Sequence, residues 1–221
     1  MLKSYRQYCG LARSLDLLGG RWTLLIVREL MTGPKRYKDL LSSLPGIGTN
    51  LLAERLKFME EQEIVQRRML PPPASTEAYD LTDLGRELEP VLLELVRWGH
   101  GIMGKAGKHD IHRVHWNILA MKAVFDAERA RGLRAEYEYR IDGTIFHARI
   151  EDGRLMTGLG PTMNPDFVLE TDTETFVAVI SGETTLQEAI ESGRLSVDGD
   201  LDALRQSAEV FDLSRLQKRT V

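Results

Sequence analysis

The sequence predicts an α+β fold in two parts: an N-terminal winged helix-turn-helix, mainly α with a β-hairpin wing, and a C-terminal α+β domain with an antiparallel sheet covered by helices. Three observations predict it. Apolar residues recur at helical spacing over the first hundred positions, and two of the short helices there are joined by a glycine-containing turn. From residue 133 apolar residues instead recur at every second position, the spacing that is typical of β-strands. The predicted domains are residues 1–105 and 113–221, joined by a linker at 106–112.

The bulk composition is that of an ordinary water-soluble globular protein. The chain has 221 residues, enough for two domains, with 43% hydrophobic and 28% charged residues. Nowhere do eighteen apolar residues follow one another, which argues against a membrane span or a secretion signal. A lone cysteine, Cys9, cannot form an internal disulfide. These features predict a cytoplasmic protein.

The formal charge of −4 is unevenly divided between the two halves. Residues 1–105 hold 15 Lys and Arg against 13 Asp and Glu, a balance of +2, whereas the remainder holds 14 against 20, a balance of −6. The basic excess therefore belongs to the first half, as expected if a nucleic-acid-binding module is fused to something else.

Four amphipathic helices are predicted before the wing. Each has apolar residues at three- and four-residue spacing, and the first three stop at glycine or proline. They cover residues 9–18, 23–30, 37–44 and 49–63. The third and fourth are separated by the turn Pro45-Gly46-Ile47-Gly48, which gives the helix-turn-helix pattern.

A β-hairpin directly after the fourth helix is the predicted wing. Residues 64–70 and 78–81 are its strands, and the proline-rich stretch between them is its loop. Thr82 is expected to cap one closing helix from about Asp83 to Met103, which Pro90 should kink.

The second half predicts a helix, a meander and a further mixture of strands and helices. The helix covers residues 114–130, and the meander strands are joined by Asp142-Gly143 and Asp152-Gly153, a dipeptide typical of hairpin turns. The remaining predicted elements are strands at 166–171 and 195–199 and helices at 173–181, 185–192 and 201–211.

The fourth helix offers the candidate DNA-reading surface. At 100° per residue, Leu52, Leu56 and Met59 share a face that should pack inward. The opposite face carries Asn50, which can bond adenine in two places, and Lys57, which reaches a guanine edge or a phosphate. The full predicted set of DNA-binding residues is Thr49, Asn50, Ala53, Glu54, Arg55 and Lys57 on this helix, Lys35, Arg36 and Lys38 before it, and Arg67 and Arg68 in the wing.

The segment 9–99 closely resembles the HxlR-type winged-helix regulators. The most specific matches are Gly19-Gly20-Arg21-Trp22, Gly33-Pro34 with Tyr37 and Leu40, Leu52 with Arg55-Leu56, and Leu81-Thr82 with Gly85. The resemblance implies a DNA-binding transcriptional regulator, a homodimer held largely by its first and last helices, and a near-palindromic double-stranded DNA operator.

Arg55 matches an arginine that this family usually keeps. Two roles are open for it: to brace the fold or to contact a DNA phosphate. Two departures from the family pattern are expected to have local effects. Ser75-Thr76-Glu77 stands where a basic residue often precedes the second wing strand, and Glu63 replaces the usual glycine at the end of the fourth helix.

The second domain resembles sterol-carrier-protein-like domains. Asn164-Pro165-Asp166, the segment 182–193 and the stretch 197–201 carry that similarity. In such domains a sheet covered by helices can enclose an apolar pocket, here for a small apolar effector. The equally weighted alternative is that the same apolar residues fill a solid core. The candidate ligand-binding residues are Trp116, Leu119, Phe146, Phe176 and Phe211.

Other chemistry is weakly indicated. Cys9 lies near Arg6 and Arg13, so it is a candidate redox sensor, although a cysteine beside an apolar helix is more often inert. His109, His112 and His115 recur every three residues but lack a further ligand, so no metal is predicted. No catalytic constellation and no cofactor motif is found, so the sequence predicts no enzyme. Two functions stay open: a regulator whose DNA affinity responds to an effector, and a binding or carrier module for a small apolar molecule whose second domain only braces the dimer.

Overall fold

The computed structural model describes residues 4–73, 75–104, 107 and 110–216. Contacts divide the chain into two compact units, Met1–Leu92 and Leu93–Val221. The division falls earlier than the predicted linker at residues 106–112, of which Ala106, Lys108 and His109 lie outside the described residues. In the described part of the chain, no helix is long and apolar enough to cross a membrane.

Four helices open the first unit close to their predicted positions. They are α1 Gly10–Leu18, α2 Thr23–Met31, α3 Tyr37–Ser43 and α4 Thr49–Glu61. The largest completely buried side chains of these helices include Ile26, Leu30, Leu40, Leu52 and Leu56. Leu52 and Leu56 are positions that the helical spacing assigned inward, because one apolar stripe is enough to bury a helix against its neighbours.

The end of α4 is stabilised by Glu63 in a left-handed conformation, with φ +56°. The Ile64 amide donates to the Met59 carbonyl at 2.9 Å and the Glu63 amide donates to the Glu60 carbonyl at 3.1 Å. This hydrogen-bond pair is the Schellman motif, which usually places glycine at the left-handed position. Glu63 therefore occupies the left-handed position at which this motif usually has glycine, and the expectation of a slightly different helix exit than in the family stays a prediction.

The wing follows α4 as predicted. It is the antiparallel pair β1 Val65–Met69 and β2 Glu77–Leu81. Lys35 adds a short antiparallel bridge to β2, donating its amide to the Tyr79 carbonyl at 2.9 Å and accepting from the Tyr79 amide at 2.8 Å. The stretch before α3 is thus held to the wing by backbone hydrogen bonds.

The predicted closing helix is two helices, α5 Asp83–Arg86 and α6 Glu89–Ile102. Thr82 caps α5 as predicted, since its hydroxyl accepts from the Gly85 amide at 3.0 Å. The interruption lies just before Pro90 rather than at it. The proline ring clashes with the carbonyl four residues earlier, that of Arg86, so the chain leaves the helix there and begins again at Glu89.

In the second unit, a 3-10 turn at Val114–Trp116 leads into α7, Asn117–Val124. The predicted helix to residue 130 is wrong in its last turns. Phe125 is extended, with ψ 133°, and makes a β-bridge with Phe211. The Asp126 carboxylate then accepts from the Glu128 and Arg129 amides, so a capped turn replaces the helix.

The sheet of this unit has the strand order β5-β4-β3-β6-β7. The strands are β3 Arg134–Ile141, β4 Thr144–Glu151, β5 Arg154–Leu159, β6 Phe167–Thr171 and β7 Leu195–Gly199. Both predicted Asp-Gly turns are present, with Asp142 and Asp152 each at φ +47°. The sheet is mixed, because the chain leaves the β5 edge, returns to the far side of β3 and lays β6 parallel to it.

Three helices complete the second unit: α8 Thr173–Ser181, α9 Leu186–Glu191 and α10 Leu201–Val210. They and α7 contribute to one apolar cluster with alternate residues of the sheet, among them Tyr137, Phe146 and Phe167. The Tyr137 and Phe167 rings stack with centroids 4.7 Å apart. The core of this unit therefore lies between the helices and one sheet face.

Candidate nucleic-acid interface

Tyr37 links the two helices of the helix-turn-helix. This residue opens α3, and its hydroxyl donates to the Thr49 carbonyl at the start of α4 at 2.7 Å. Leu52, Leu56 and Met59 bury the inner face of α4. The start of α4 is consequently fixed both by packing and by a hydrogen bond. Tyr37 was part of the motif match but was not singled out as a site residue, because its partner is a backbone atom that the sequence does not reveal.

The outer face of α4 carries the predicted reading residues. Thr49, Asn50, Ala53, Glu54 and Lys57 are all exposed, and they follow one another at helical spacing on one side of the helix. The Lys57 side chain is 79% exposed, and its amine lies 4.0 Å from the Glu61 carboxylate. The structure therefore brings these five residues together on a surface that a major groove can accept.

Arg55 lies beside this face but points elsewhere. Its side chain is 13% exposed, and its Nε donates to the Arg21 carbonyl at 3.3 Å while Nη1 contacts the Glu54 carboxylate at 3.0 Å. A Cβ added to Gly20 would lie 3.1 Å from the Arg55 Nε. Two roles were left open for Arg55, bracing the fold or contacting phosphate. This packing favours the first, in which Arg55 connects α4 to the turn before α2.

Trp22 explains another part of the motif. It is left-handed, with φ +79°, at the start of α2. Its ring lies against the turn between α3 and α4, since a Cβ on Gly46 would be 3.6 Å from it, and the Arg21 guanidinium lies 5.4 Å above the ring centroid. The Gly-Gly-Arg-Trp motif thus supports the turn that precedes the reading helix.

Lys35 forms an internal ion pair. Its amine is 2.7 Å from the carboxylate of Glu29, a fully buried residue that also contacts the Arg28 guanidinium at 2.8 Å. Burial lowers the pKa of Arg28, because removal from water penalises the charged guanidinium. Lys35 was predicted to face DNA, and the structure gives it a partner inside the first unit.

The two other cations near α3 differ in their surroundings. Arg36 pairs with Asp39 at 2.7 Å, and this hydrogen bond holds the pKa of the Asp39 carboxyl below its usual value. Lys38 is exposed. Lys38 is therefore the more accessible of these two candidates for a phosphate.

The adjacent wing arginines lie in different environments. Arg67 contacts Glu60 of α4 at 2.8 Å and Glu77 of β2 at 2.9 Å, and its guanidinium lies 5.3 Å from the Tyr79 ring centroid. The hydrogen bond to Glu60 is the main cause that raises the pKa of Arg67. Two carboxylates thus surround this one cation.

Arg68 shares a carboxylate with a residue that the sequence did not single out. Arg68 Nη1 and Arg86 Nη2 each lie 2.9 Å from a different oxygen of Asp80. Asp80 is buried, whereas both guanidinium side chains are about half exposed. Arg86 was missed because its contact with Asp80 depends on how the wing folds onto α5, and the charge pattern alone does not show this.

The five candidate ligand-binding residues of the second unit lie in or beside its core. Phe146, Phe176 and Phe211 belong to the apolar cluster, Leu119 is buried, and Trp116 is half-buried. Whether they line a pocket stays a prediction. Two open cavities, of about 510 and 400 Å³, are lined by other residues, one by Arg194 and α8 and one by the Asp142-Gly143 turn.

A buried hydroxyl near these aromatic residues has no partner. The Tyr137 hydroxyl forms no hydrogen bond with any residue that the structure describes. Burial raises the pKa of Tyr137 to about 12. Its ring meets that of Phe211 edge to face at 6.4 Å. An unpaired buried hydroxyl costs free energy, so a ligand or water with an acceptor atom would be stabilised here.

The remaining sequence candidates are Cys9 and the histidines. Cys9 is exposed at the N-terminus of α1. His112 Nε2 lies 3.1 Å from the Asn117 side-chain oxygen, and His109 falls outside the described residues. In residues 4–73, 75–104, 107 and 110–216, no group of three His, Cys, Asp or Glu is arranged to hold a metal ion.

Two family models match the chain. Residues 17–106 match the model described as HxlR-like helix-turn-helix, and residues 117–217 match the one described as alkyl sulfatase C-terminal. The second match stands where the sequence suggested a sterol-carrier-like domain, and that suggestion is not confirmed.

Known relatives match the first half. The HTH-type transcriptional regulator YodB of Bacillus subtilis is 44% identical over 85 residues, which cover 38% of this chain and 76% of YodB. The solved structure of reduced YodB is 38% identical and covers 46% of this chain and all of that one, with a TM-score of 0.39. The quinone-bound YodB structure is 39% identical and covers 40% of this chain and 93% of that one, with a TM-score of 0.36.

Proposed function

Because the chain belongs to the HxlR-like helix-turn-helix family and is a DNA-binding transcriptional regulator, we propose that α4 lies in the major groove of a double-stranded operator and reads it with Asn50 and Lys57. One observation carries this proposal. The face of α4 with Asn50, Ala53 and Lys57 is exposed, while Leu52, Leu56 and Met59 on the other face are buried.

Each residue of this face has a chemical role in the proposal. The Asn50 amide matches the donor and acceptor that adenine presents in the major groove, and Lys57 donates to guanine or to a phosphate. Ala53 lies between them and is small enough for the helix to approach the bases. Thr49, at the helix N-terminus, donates to a phosphate oxygen, where the positive end of the helix dipole also favours an anion.

Substituting Asn50 and Lys57 tests the proposal. Asn50→Ala is expected to weaken binding to the preferred sequence by about tenfold to a hundredfold and to relax the preference at one base pair, since a bidentate base contact is worth about 1–3 kcal/mol. Lys57→Ala is expected to weaken binding more evenly across sequences. The measurement is fluorescence anisotropy with a duplex selected from a random pool by the wild-type protein.

Asn164→Ala and Arg154→Ala are the control variants, because both residues are exposed and belong to the second unit rather than to the unit that contains α4. They should bind the selected duplex as the wild type does. Wild-type affinity and sequence preference in both α4 variants would show that another surface reads the DNA.

We further propose that the regulator is a homodimer. Large apolar side chains are exposed on α1, where Leu11 is 70% exposed, and separately on α6, where Trp98 is 59% exposed. Apolar surface of this kind on a helix is typical of a subunit contact. Two copies related by a two-fold axis would read a near-palindromic operator. Sedimentation analysis that finds only monomer at micromolar concentration would contradict this proposal.

A small apolar effector bound in the second unit is the proposed regulatory signal. The buried Tyr137 hydroxyl beside Phe211 supports it, because this hydroxyl has no hydrogen-bond partner among the described residues and small-molecule sites place a few polar groups among apolar side chains. The other candidate, a carrier module that does not affect DNA binding, rests on the same observation. Titration with 1-anilinonaphthalene-8-sulfonate as an apolar probe separates them: operator affinity changes with probe binding in a sensor and stays constant in a carrier.

Cys9 is proposed as a second sensing group. One relative, YodB, has been solved with a quinone bound, and the Cys9 thiol of this chain is exposed. A thiolate adds to a quinone by forming a C–S bond, and the ring takes up a proton to become a hydroquinone, so no further oxidant is required. Mass spectrometry should detect one benzoquinone adduct on the wild type and none on Cys9→Ser, the variant that lacks the single cysteine.

A further inference from the structure

The wing contains a paired-arginine site on the side of β1 away from Arg67. We propose that Arg68 and Arg86, held on the two oxygens of Asp80, bind one phosphate of the duplex DNA backbone, and that Arg67 binds none. This inference rests on the proposed function and names one of its contacts. It differs from the sequence prediction, in which Arg67 and Arg68 served alike and Arg86 had no role.

Asp80 makes the site because it is buried and accepts from three donors. Its side chain is 2% exposed, and its oxygens accept from Arg68 Nη1, Arg86 Nη2 and the Leu81 amide, each at 2.9 Å. A carboxylate whose lone pairs are used in this way holds both guanidinium groups in fixed positions. The two arginines lie side by side as a result, despite their separation in sequence.

The charge and exposure of the pair favour an anion. Two guanidinium groups and one carboxylate carry a net charge of +1, and the arginine side chains are 51% and 49% exposed. A guanidinium has five N–H donors, and Asp80 takes one from each arginine, so others face water. Because Asp80 already orders both side chains, a phosphate would bind with little further loss of side-chain entropy.

Arg67 has the opposite balance. Glu60 and Glu77 both contact it, so this group carries a net charge of −1. Successive residues of a strand point to opposite faces, and Arg67 faces α4 and Tyr79, whereas Arg68 faces Asp80. The Arg67 side chain is 50% exposed, but the two carboxylates that contact it would repel a DNA phosphate. The structure therefore assigns Arg67 the role of tying β1 to α4.

The salt dependence of DNA binding tests this assignment, because each phosphate contact steepens the plot of log affinity against log salt by about 0.9. The full chain is titrated into a fluorescent 30-base-pair duplex of random sequence between 50 and 200 mM salt. Arg68→Gln and Arg86→Gln are each expected to reduce the slope by about 0.9, and Arg67→Gln to leave it unchanged. Thermal denaturation checks that each variant is folded.

Arg67→Gln still tests the assignment if another glutamine variant does not fold, because a slope that it reduces by about 0.9 would contradict the proposal. The lysine variants are controls that retain the charge. Arg68→Lys and Arg86→Lys retain a charge and a donor to Asp80, so they should keep the wild-type slope. A slope reduced by Arg67→Gln as much as by Arg68→Gln, or an unchanged slope in folded Arg86→Gln, would overturn the assignment while DNA binding itself stands. Absence of any salt-sensitive duplex binding by the wild type would instead overturn the proposed function, and this site with it.

Discussion

Gly85→Ala is expected to lower the stability of the first unit by more than about 3 kcal/mol, or to prevent its folding. A Cβ at this position would lie 2.2 Å from the Ile64 carbonyl oxygen and 3.1 Å from the Leu81 side chain. The carbonyl cannot move freely, because it accepts the Thr82 amide at 3.1 Å and so joins the end of α4 to the start of α5. Urea denaturation followed by circular dichroism measures the effect.

Gly99→Ala is the matched control for this variant. Gly99 is also helical, in α6, and a Cβ there would meet nothing within 4 Å. Alanine is the better helix former, so this variant should be as stable as the wild type or more stable by up to about 1 kcal/mol. Equal unfolding midpoints for Gly85→Ala and the wild type would show that the backbone adjusts, and that the close approach of α5 to Ile64 is not required.

Glu29→Ala is expected to cost about 3–5 kcal/mol, because it removes the negative partner of two largely buried cations. The Lys35 side chain is 14% exposed and that of Arg28 is 19% exposed, and both contact the fully buried Glu29 carboxylate. Without Glu29, both cations would lose the fully buried carboxylate that they contact. The lower free energy of unfolding should appear in the same urea denaturation experiment.

Asp39→Ala removes a comparable ion pair at the surface and serves as the control. The Arg36 and Asp39 side chains are 40% and 39% exposed, so water screens their attraction and the expected cost is at most about 1 kcal/mol. Glu29→Gln keeps the shape and one acceptor, and its loss should lie between the two. If Glu29→Ala were no more costly than Asp39→Ala, the buried cluster would not contribute to folding stability.

Local sequence patterns predicted most of the elements. Helical spacing placed α1 to α4 and the inward residues Leu52, Leu56 and Met59, and the Asp-Gly dipeptides placed the turns on either side of β4. These features depend on neighbouring residues, which the sequence displays directly. The premature end of α7 was missed because Phe125 pairs with Phe211, a contact between distant residues.

The candidate site shows the same division. The exposed face of α4 followed from periodicity alone. The environments of the cations did not, because Lys35, Arg67 and Arg68 each meet carboxylates contributed by other elements. Charge counting treats these residues as equivalent, whereas the fold leaves the Lys57 side chain 79% exposed and holds Lys35, at 14% exposure, against the buried Glu29 carboxylate.

The position of Trp22 gives the first unit a natural optical probe. The chain contains three tryptophans, of which Trp22 belongs to the first unit and Trp98 and Trp116 to the second. The Trp22 indole lies against the glycine turn that leads into α4. In a Trp98→Phe, Trp116→Phe background, emission would come from that turn alone, so docking onto DNA can be followed without a chemical label.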